Sequence, residues 1–316
     1  MSDRPIDVNS DQESGAFGDK GVVKRVAQST LAAWEIVARD KTALVAITFV
    51  FVLCVIAIFA PLLAPYGPTE QSMINRSQGP SSAFWLGTDE FGRDIFSRII
   101  YATRPAIIIG VLSVLFAMGI GVPIGIISGY LMGWTDRITS WFVDIMLSFP
   151  SLLMALMIVT LLGSGPQIVV IAIGLSQIPL FIRLARSSTL VLKGLDYVKA
   201  SQTFGAGNIR IMIRHILPNI IGPLIIMGTL SIAGAIRDEA ALSFLGLGIQ
   251  PPAPSWGNMI RDGINNIMHS PWLAIFPGIA VTITVLAFNM IGDSLRDIFD
   301  PRDIASRAQG SDKAGS

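Results

Sequence analysis

Few side chains in this sequence could carry covalent, metal or nucleotide chemistry. There are two histidines, His215 and His269, and one cysteine, Cys54, and no cluster of acidic residues stands at metal-ligand spacing. The dipeptide Gly-Lys does not occur, so the sequence has no phosphate-binding loop of the form G-x-x-x-x-G-K-[ST]. We therefore predict no catalytic residue, no metal and no cofactor, and any energy from ATP must come from a separate subunit.

The residues that do point to a function lie in a polar segment from Arg183 to Pro223. It is the longest polar interruption in the apolar half of the sequence, and its only acidic residue is Asp196. A basic loop between apolar segments is typical of the cytoplasmic side of a membrane protein. The six basic residues of this segment are Arg183, Arg186, Lys193, Lys199, Arg210 and Arg214.

A short helix is predicted over residues 195–204 of this segment. Tyr197, Ser201 and Phe204 follow one another at helical spacing, and Gly205 is placed to end the helix. Glycine is favoured after a helix because it adopts the left-handed conformation at little cost. The pattern predicts a short helix with a sharp stop.

A second short helix is predicted to follow it. Asn208 is a suitable N-cap, and the helix would run to His215 before Pro218 opens the next apolar segment. Gly207 loosens the connection between the two helices. A pair of short helices between two apolar spans is typical of a protruding docking element.

The spacing within the segment resembles the cytoplasmic EAA loop of ABC importer permeases, written as Glu-Ala-Ala, three residues, Gly, and about ten residues before Leu-Pro. Here Lys199 stands in place of the acid and Ser201 in place of an alanine. The resemblance implies that the loop inserts into a groove on an ATPase subunit, where small residues permit close approach. The residues to which it assigns this coupling are Tyr197, Lys199, Ala200, Ser201, Phe204, Gly205, Leu217 and Pro218.

The overall composition indicates a membrane protein. Of 316 residues, 52% are hydrophobic and 14% are charged, and the mean hydropathy is +0.62. An ordinary soluble domain has about 25% charged residues, so that class is excluded. The predicted fold class is an all-α polytopic membrane protein, and the resemblance implies a core like that of a type I ABC importer permease with a cytoplasmic coupling helix.

Six transmembrane helices are predicted from the apolar segments. Residues 42–66 contain no charged side chain, which is enough for one tilted span. Residues 138–182 are too many for one helix, and the run from Gly163 to Pro166 divides them into two spans. Repeated glycines in the span over residues 105–135 would let this helix approach its neighbours closely. The remaining spans are 105–135, 216–236 and 270–292.

The segments between the spans complete the predicted organisation. Residues 1–20 are expected to be a disordered tail without a cleaved signal peptide, and Asp136 with Arg137 is expected to form a short inner turn. Asp144 is the only ionisable residue predicted deep in a span, and we expect it to snorkel or pair with a basic neighbour.

The predicted domains are a tail with an interfacial segment (1–41), a first transmembrane helix (42–66), an outer loop with an amphipathic helix capped by Thr88 or Asp89 (67–104), a five-helix core (105–293) containing the coupling loop (183–215) and an outer loop (237–269), and a tail (294–316).

The distribution of lysine and arginine predicts the orientation of the chain. With the amino terminus inside, six basic residues precede the first span, one is Arg137, six lie in the central segment and four follow the last span, which places 17 of 23 on the inner side. The opposite orientation would reverse this ratio. We therefore expect both termini in the cytoplasm.

Three further strings resemble the C-type subunit of oligopeptide, dipeptide and nickel importers: WLGTDEFGRDIFSRIIYATR, RDEAALSFLGLGIQPPAPSWGNMI and GDSLRDIFDPR. With the EAA-like loop they extend the resemblance over roughly residues 34–302. It implies half of an inner-membrane pathway for di- or oligopeptides, paired with a homologous B-type permease, two ATPase subunits and a periplasmic solute-binding protein. It further implies that Asp238, Glu239 and Trp256 contact the binding protein, although this outer loop could also be a cap that merely covers the spans.

Other functions stay open at this stage. The same type of permease could carry a nickel chelate, glutathione or an opine. A secondary transporter or channel should show an internal repeat and several intramembrane charges or broken helices, whereas the sequence offers one buried acid and no internal repeat. A membrane enzyme would need a nucleophile and a base that cannot be named. The basic loop lacks interleaved aromatic residues, so we predict membrane lipid and no nucleic acid as a partner.

Overall fold

The chain folds as a bundle of long helices joined mostly by short connections, with one long connection over residues 64–94. The computed structural model describes residues 41–299, and no β-strand occurs in that range. The predicted amino-terminal tail and interfacial segment before residue 41, and residues 300–316 of the predicted carboxyl-terminal tail, lie outside the described residues, whereas residues 294–299 of that tail continue the last helix. The helices are α1 (Lys41–Leu63), α2 (Ile95–Leu131), α3 (Gly133–Leu147), α4 (Ser151–Leu162), α5 (Pro166–Lys193), α6 (Asp196–Thr203), α7 (Asn208–Ile211), α8 (Leu217–Phe244), α9 (Trp256–Asn265) and α10 (Trp272–Phe299), with a 3₁₀ turn at Met73–Asn75 and a π turn at Met212–Ile216.

The described range contains five helices that are candidate membrane spans by length and composition, and one bent pair of helices of similar character. Helices α1, α2, α5 and α10, and the continuous helix from Asn208 to Phe244, are each long and apolar enough to cross a bilayer. Helices α3 and α4 form the bent pair, with an angle of 89° between them, and together they count as a sixth candidate span. The bend lies at Ser148 to Pro150, and proline removes an amide N–H at this point. The sequence analysis predicts this span without its bend.

Helix α1 is held against α2 by hydrogen bonds from an arginine of α2 to backbone carbonyls of α1. Pro61 lies inside α1 and has no amide N–H, so the carbonyl of Ala57 has no partner within the helix. The guanidinium of Arg104 donates a hydrogen bond from Nε to this carbonyl, and its Nη2 donates to the carbonyl of Ile58 at 2.7 Å. In lipid, every free backbone group needs such a partner, so Arg104 fixes α1 on α2.

The outer segment before α2 differs from its prediction. No separate interfacial helix follows Thr88 or Asp89. Instead Asp94 caps α2, because its Oδ2 accepts hydrogen bonds from the backbone N–H of Ser97 at 2.8 Å and from its hydroxyl at 2.6 Å. Asp89 is buried and pairs with Arg93 at 2.6 Å. The amphipathic run is thus the first part of a 37-residue helix.

Three predicted loops are also shorter than expected. Asp136 and Arg137 lie inside α3, and the turn before it falls at Met132 and Gly133, which both have positive φ. Residues 183–193 continue α5, and residues 237–244 continue α8. In the last two cases the sequence analysis ended a span at its first charged residue, Arg183 or Arg237, whereas the helix continues through that arginine, which pairs with an acid.

The core is centred on close packing between α2 and α5. Glycines at every fourth position of α2 let the two backbones touch: a Cβ atom at Gly121, Gly125 or Gly129 would lie 2.9, 2.5 or 2.8 Å from a carbonyl oxygen of α5. This confirms the predicted use of glycines for close helix approach. Helix α8 packs against the same unit through Ile220 and Leu224, and α10 packs against α8.

Candidate functional site

The helix predicted to couple this chain to an ATPase is α6, a two-turn element with one buried and one exposed face. Val198 is fully buried in the core and anchors it. Tyr197, Lys199 and Ala200 are exposed, and the side chain of Phe204, just after the helix, is 90% exposed. The exposed face therefore presents two aromatic rings beside a small residue, a composition that suits contact with a second protein.

The end of α6 is a Schellman motif built on Gly205. Its φ of +80° is left-handed, as the sequence predicts. The N–H of Ala206 donates to the carbonyl of Ser201 at 3.0 Å, and the N–H of Gly205 donates to that of Gln202 at 2.9 Å. The hydroxyl of Ser201 donates to the carbonyl of Tyr197 at 2.9 Å. These bonds fix where Phe204 leaves the helix.

Tyr130, near the end of α2, holds α6 in place, and sequence reasoning missed it. Its hydroxyl accepts a hydrogen bond from Nε2 of Gln202 at 3.0 Å and lies 3.4 Å from Oδ1 of Asn208. Its carbonyl accepts from Nζ of Lys193 at 2.7 Å. Tyr130 therefore links α2, α5, α6 and α7. A tyrosine at the polar end of an apolar run is the only sequence signal for this role.

The connection from α6 to the next span is helical almost throughout. Helix α7 continues through the π turn into α8, where the N–H of Leu217 donates to the carbonyl of Met212. This wider turn precedes Pro218, whose missing N–H would interrupt an α-helical ladder. The ring of Tyr197 stands 6.3 Å from that of His215 in the π turn. The Leu-Pro pair thus follows the π turn directly and lies at the start of α8.

The three residues predicted to contact a binding protein are all buried. Asp238 and Glu239 lie inside α8, where Glu239 accepts a hydrogen bond from the hydroxyl of Ser243 at 2.7 Å. Trp256 is covered and donates from Nε1 to the carbonyl of Ile99 at 3.2 Å. These side chains pack the helices together at this end of the bundle, whereas Met268 nearby is exposed.

Two ion pairs connect α3 to α5. Asp144 accepts a hydrogen bond from Nη2 of Arg183 at 2.9 Å, which confirms that this acid pairs with a basic neighbour. Asp136 receives two hydrogen bonds from Arg186, including one from Nη2 at 2.8 Å, and a third from the hydroxyl of Ser128 at 2.8 Å. The bidentate pair fixes the start of α3 on α5.

A cavity of about 380 Å³, open to the surface and lined by both apolar and polar residues, lies in the body of the chain. Helices α5, α8 and α10 form its walls, and the bend between α3 and α4 borders it. No group of three or more metal-ligating side chains is found within residues 41–299. The polar residues that line the cavity are Ser151, Ser176, Gln177, Ser231, Arg237, Asp238 and Asn289.

Known proteins resemble this chain over most of its length. Residues 121–303 match the family described as binding-protein-dependent transport system inner membrane component, and residues 31–80 match the N-terminal TM domain of oligopeptide transport permease C. The glutathione transport system permease protein GsiD of Pectobacterium atrosepticum is 43% identical over 85% of this chain and 90% of its own length. The dipeptide transport system permease protein DppC of Alkalihalophilus pseudofirmus is 44% identical over 84% of this chain and 87% of its own length.

A solved structure has the same fold. The inward-facing MetNI methionine ABC transporter contains a chain that matches 64% of this chain and 97% of its own length, with a TM-score of 0.54 and 17% sequence identity. The match over residues 121–303 covers more than half of the chain, including α3 to α10, and together with the two relatives it carries the assignment. The chain therefore belongs to the family of binding-protein-dependent transport system inner membrane components, and within it to the C-type permeases of ABC importers.

Proposed function

We propose that this chain forms half of the translocation pathway for di- or oligopeptides in an ATP-driven importer of the inner membrane. Its partners are a homologous B-type permease, two ATPase subunits and a periplasmic solute-binding protein. The observation that carries the coupling role is the exposed face of α6 on its buried anchor Val198. The peptide substrate is supported by the identity to permeases named for dipeptide and glutathione transport. Glutathione is itself a peptide.

The contacts of α6 support a mechanism of transport. Closure of an ATPase dimer would move α6, and the movement would pass to α2 and α5 through Tyr130 and to α8 through the continuous helix that begins at Asn208. Because α2 and α5 touch backbone to backbone, they move as one unit. The spans would then change from an inward-facing to an outward-facing arrangement.

Peptide uptake by the complete importer tests this function. The four-subunit complex is reconstituted in liposomes with ATP on the side of the ATPase subunits and the binding protein on the other side. We expect a labelled tripeptide to accumulate only when ATP and binding protein are both present. Uptake of a nickel chelate or an opine without peptide uptake would contradict the substrate class, and uptake driven by an ion gradient without ATP would contradict the importer mechanism.

Cysteine labelling tests the proposed orientation, with both termini and α6 in the cytoplasm. Cys54 is first replaced by alanine, and single cysteines are placed at Ser81 and Thr203, which are both exposed. We expect an impermeant thiol reagent to label position 81 in intact cells and position 203 only after permeabilisation, because 17 of the 23 basic residues then face inward. Labelling of position 203 in intact cells would reverse the orientation.

A further inference from the structure

The cavity between α5, α8 and α10 has the volume of a ligand site and a wall that mixes polar and apolar side chains. Its volume of about 380 Å³ falls in the range of about 300–1,000 Å³ typical of small-molecule sites. It lies between α5, α8 and α10, and Leu147 and Ser151 of the bent span border it. Apolar neighbours such as Met227 and Leu230 complete its wall.

Hydrogen-bonding groups in this wall have no partner in the protein. Gln177 is only 8% exposed, and its Oε1 has no hydrogen-bond partner among the described residues. The hydroxyl of Ser231 and the side-chain amide of Asn289 likewise form no hydrogen bond within residues 41–299. Buried polar groups are nearly always paired, and burying one unpaired costs about 1–3 kcal/mol. A ligand that carries amide groups can pair with the half-buried amide of Asn289 directly, and with the inaccessible Oε1 of Gln177 after a rotation of that side chain.

One cationic group of the cavity retains donors for an anion. Arg237 is 66% exposed and contacts Asp238 from Nε at 3.3 Å and from Nη2 at 3.2 Å, in both cases through the single oxygen Oδ1. A guanidinium has five N–H donors, so three stay available. Arginine binds carboxylates in bidentate geometry. The cavity therefore combines amide-pairing groups with a site for one carboxylate.

We propose that this cavity binds the main chain of the transported peptide, with Arg237 on its terminal carboxylate and Gln177 and Asn289 on its peptide amides. The inference rests on the proposed function and names the residues of this chain that contact the substrate. Main-chain amides and a terminal carboxylate are common to all peptides, whatever their side chains. Contacts to these groups would let one pathway accept peptides of different sequence.

The test crosses one change in the protein with one change in the peptide. Arg237→Gln and the unchanged importer are compared for uptake of a tripeptide and of its C-terminal amide, at saturating loaded binding protein. Selection by the binding protein is the same for both importers and cancels in the cycle. We expect the preference for the free acid to fall about tenfold in the variant, since a hydrogen bond to a charged group typically contributes that much.

Two matched variants separate this contact from a structural role. Arg237→Lys keeps the charge and should retain part of the preference. Arg261→Gln removes the guanidinium of a similar neighbouring pair, Arg261 with Asp262 at 3.5 Å, outside the cavity, and should leave the preference unchanged. An equal preference in Arg237→Gln and the unchanged importer overturns the proposal, as does an equal loss in Arg261→Gln. Failure of the unchanged importer to take up any peptide would instead contradict the proposed function.

A filling variant tests the cavity without touching its charges. Gly234 lines the cavity, and a Cβ atom at this helical position would meet nothing within 4 Å. Gly234→Leu should therefore fold and assemble but reduce peptide uptake at least about tenfold, whereas Gly119→Leu, equally open and outside the cavity, should not. Unchanged peptide uptake in Gly234→Leu would place the substrate elsewhere.

Discussion

Gly125→Leu is expected to abolish accumulation of the folded chain in the membrane. A Cβ atom at Gly125 would lie 2.5 Å from the carbonyl oxygen of Ile182 and 2.8 Å from Cβ of Ala185. Overpacking by a side chain typically costs about 1–3 kcal/mol when neighbours can adjust. Here the nearest atom belongs to the backbone of α5, so α2 and α5 must separate along the contact at the centre of the core. We therefore expect a destabilisation above that range.

Gly119→Leu is the matched control for this prediction. Gly119 lies on the same helix, less than two turns away, and a Cβ atom there would meet nothing within 4 Å. The amount of heat-resistant protein in solubilised membranes, followed with a fluorescent fusion, should fall at least about tenfold for Gly125→Leu and stay within about twofold for Gly119→Leu, because 1.4 kcal/mol already corresponds to a factor of ten. Equal stability of the two variants would contradict the close contact of α2 with α5.

The parts of the fold that depend on local sequence were predictable. Apolar length predicts the spans, and the glycine spacing of α2 predicts close packing. Gly205 is another such case, because the left-handed turn that ends α6 is a property of a few neighbouring residues. These features need no knowledge of distant partners, and the structure confirms them.

The parts that depend on distant partners were not predictable. Asp238 and Glu239 indicate a solvent-exposed loop by composition, yet they lie buried in α8. The reason is α9, which packs so tightly on α8 that a Cβ atom at Gly257 would lie 2.1 Å from the carbonyl oxygen of Ala240. Arg183 likewise lies within a helix because Asp144 pairs with it. In a sequence, charged residues within an apolar segment indicate the end of a helix unless the partners that pair with them are known.

In the proposed coupling site, too, the features set by local sequence were predictable and those set by distant contacts were not. Sequence spacing picks out α6 and its stop, since both follow from local pattern. It does not find Tyr130, which lies more than 60 residues from Lys193 and more than 70 from Gln202 along the chain. The positioning of α6 therefore depends on one tyrosine at the end of another helix, and only the folded arrangement brings the two together.

Gly205→Leu is expected to abolish transport while leaving the chain inserted and folded. A Cβ atom at Gly205 meets nothing within 4 Å, so no clash inside the chain is expected. Its φ of +80° is left-handed, however, and this conformation costs a residue with a side chain about 1–2 kcal/mol. Leucine would therefore distort the end of α6 and would place an added side chain beside Phe204, on the face proposed to enter the ATPase groove. Both effects would weaken the proposed docking of α6 to the ATPase subunit.

Two variants of the same loop separate these causes. Gly207 also has open space, but its φ of −67° suits any residue, so Gly207→Leu adds bulk without backbone strain. Lys199→Glu restores the family acid at a side chain that is 60% exposed and 3.9 Å from Asp196. Surface ion pairs are worth about 0–1 kcal/mol, so this change should alter ATPase assembly by less than about tenfold.

The three variants are compared for co-purification of the ATPase subunits, for ATP hydrolysis stimulated by loaded binding protein, and for uptake in liposomes. We expect Gly205→Leu to reach the membrane in normal amount and to lose stimulated hydrolysis and uptake, while Lys199→Glu retains both. An intermediate loss in Gly207→Leu would assign part of the effect to bulk in the docking face, and full activity there would assign the effect of Gly205→Leu to the backbone turn. Normal uptake by Gly205→Leu would remove α6 from the coupling role, because neither the end of the helix nor the face beside Phe204 could then matter for contact with the ATPase.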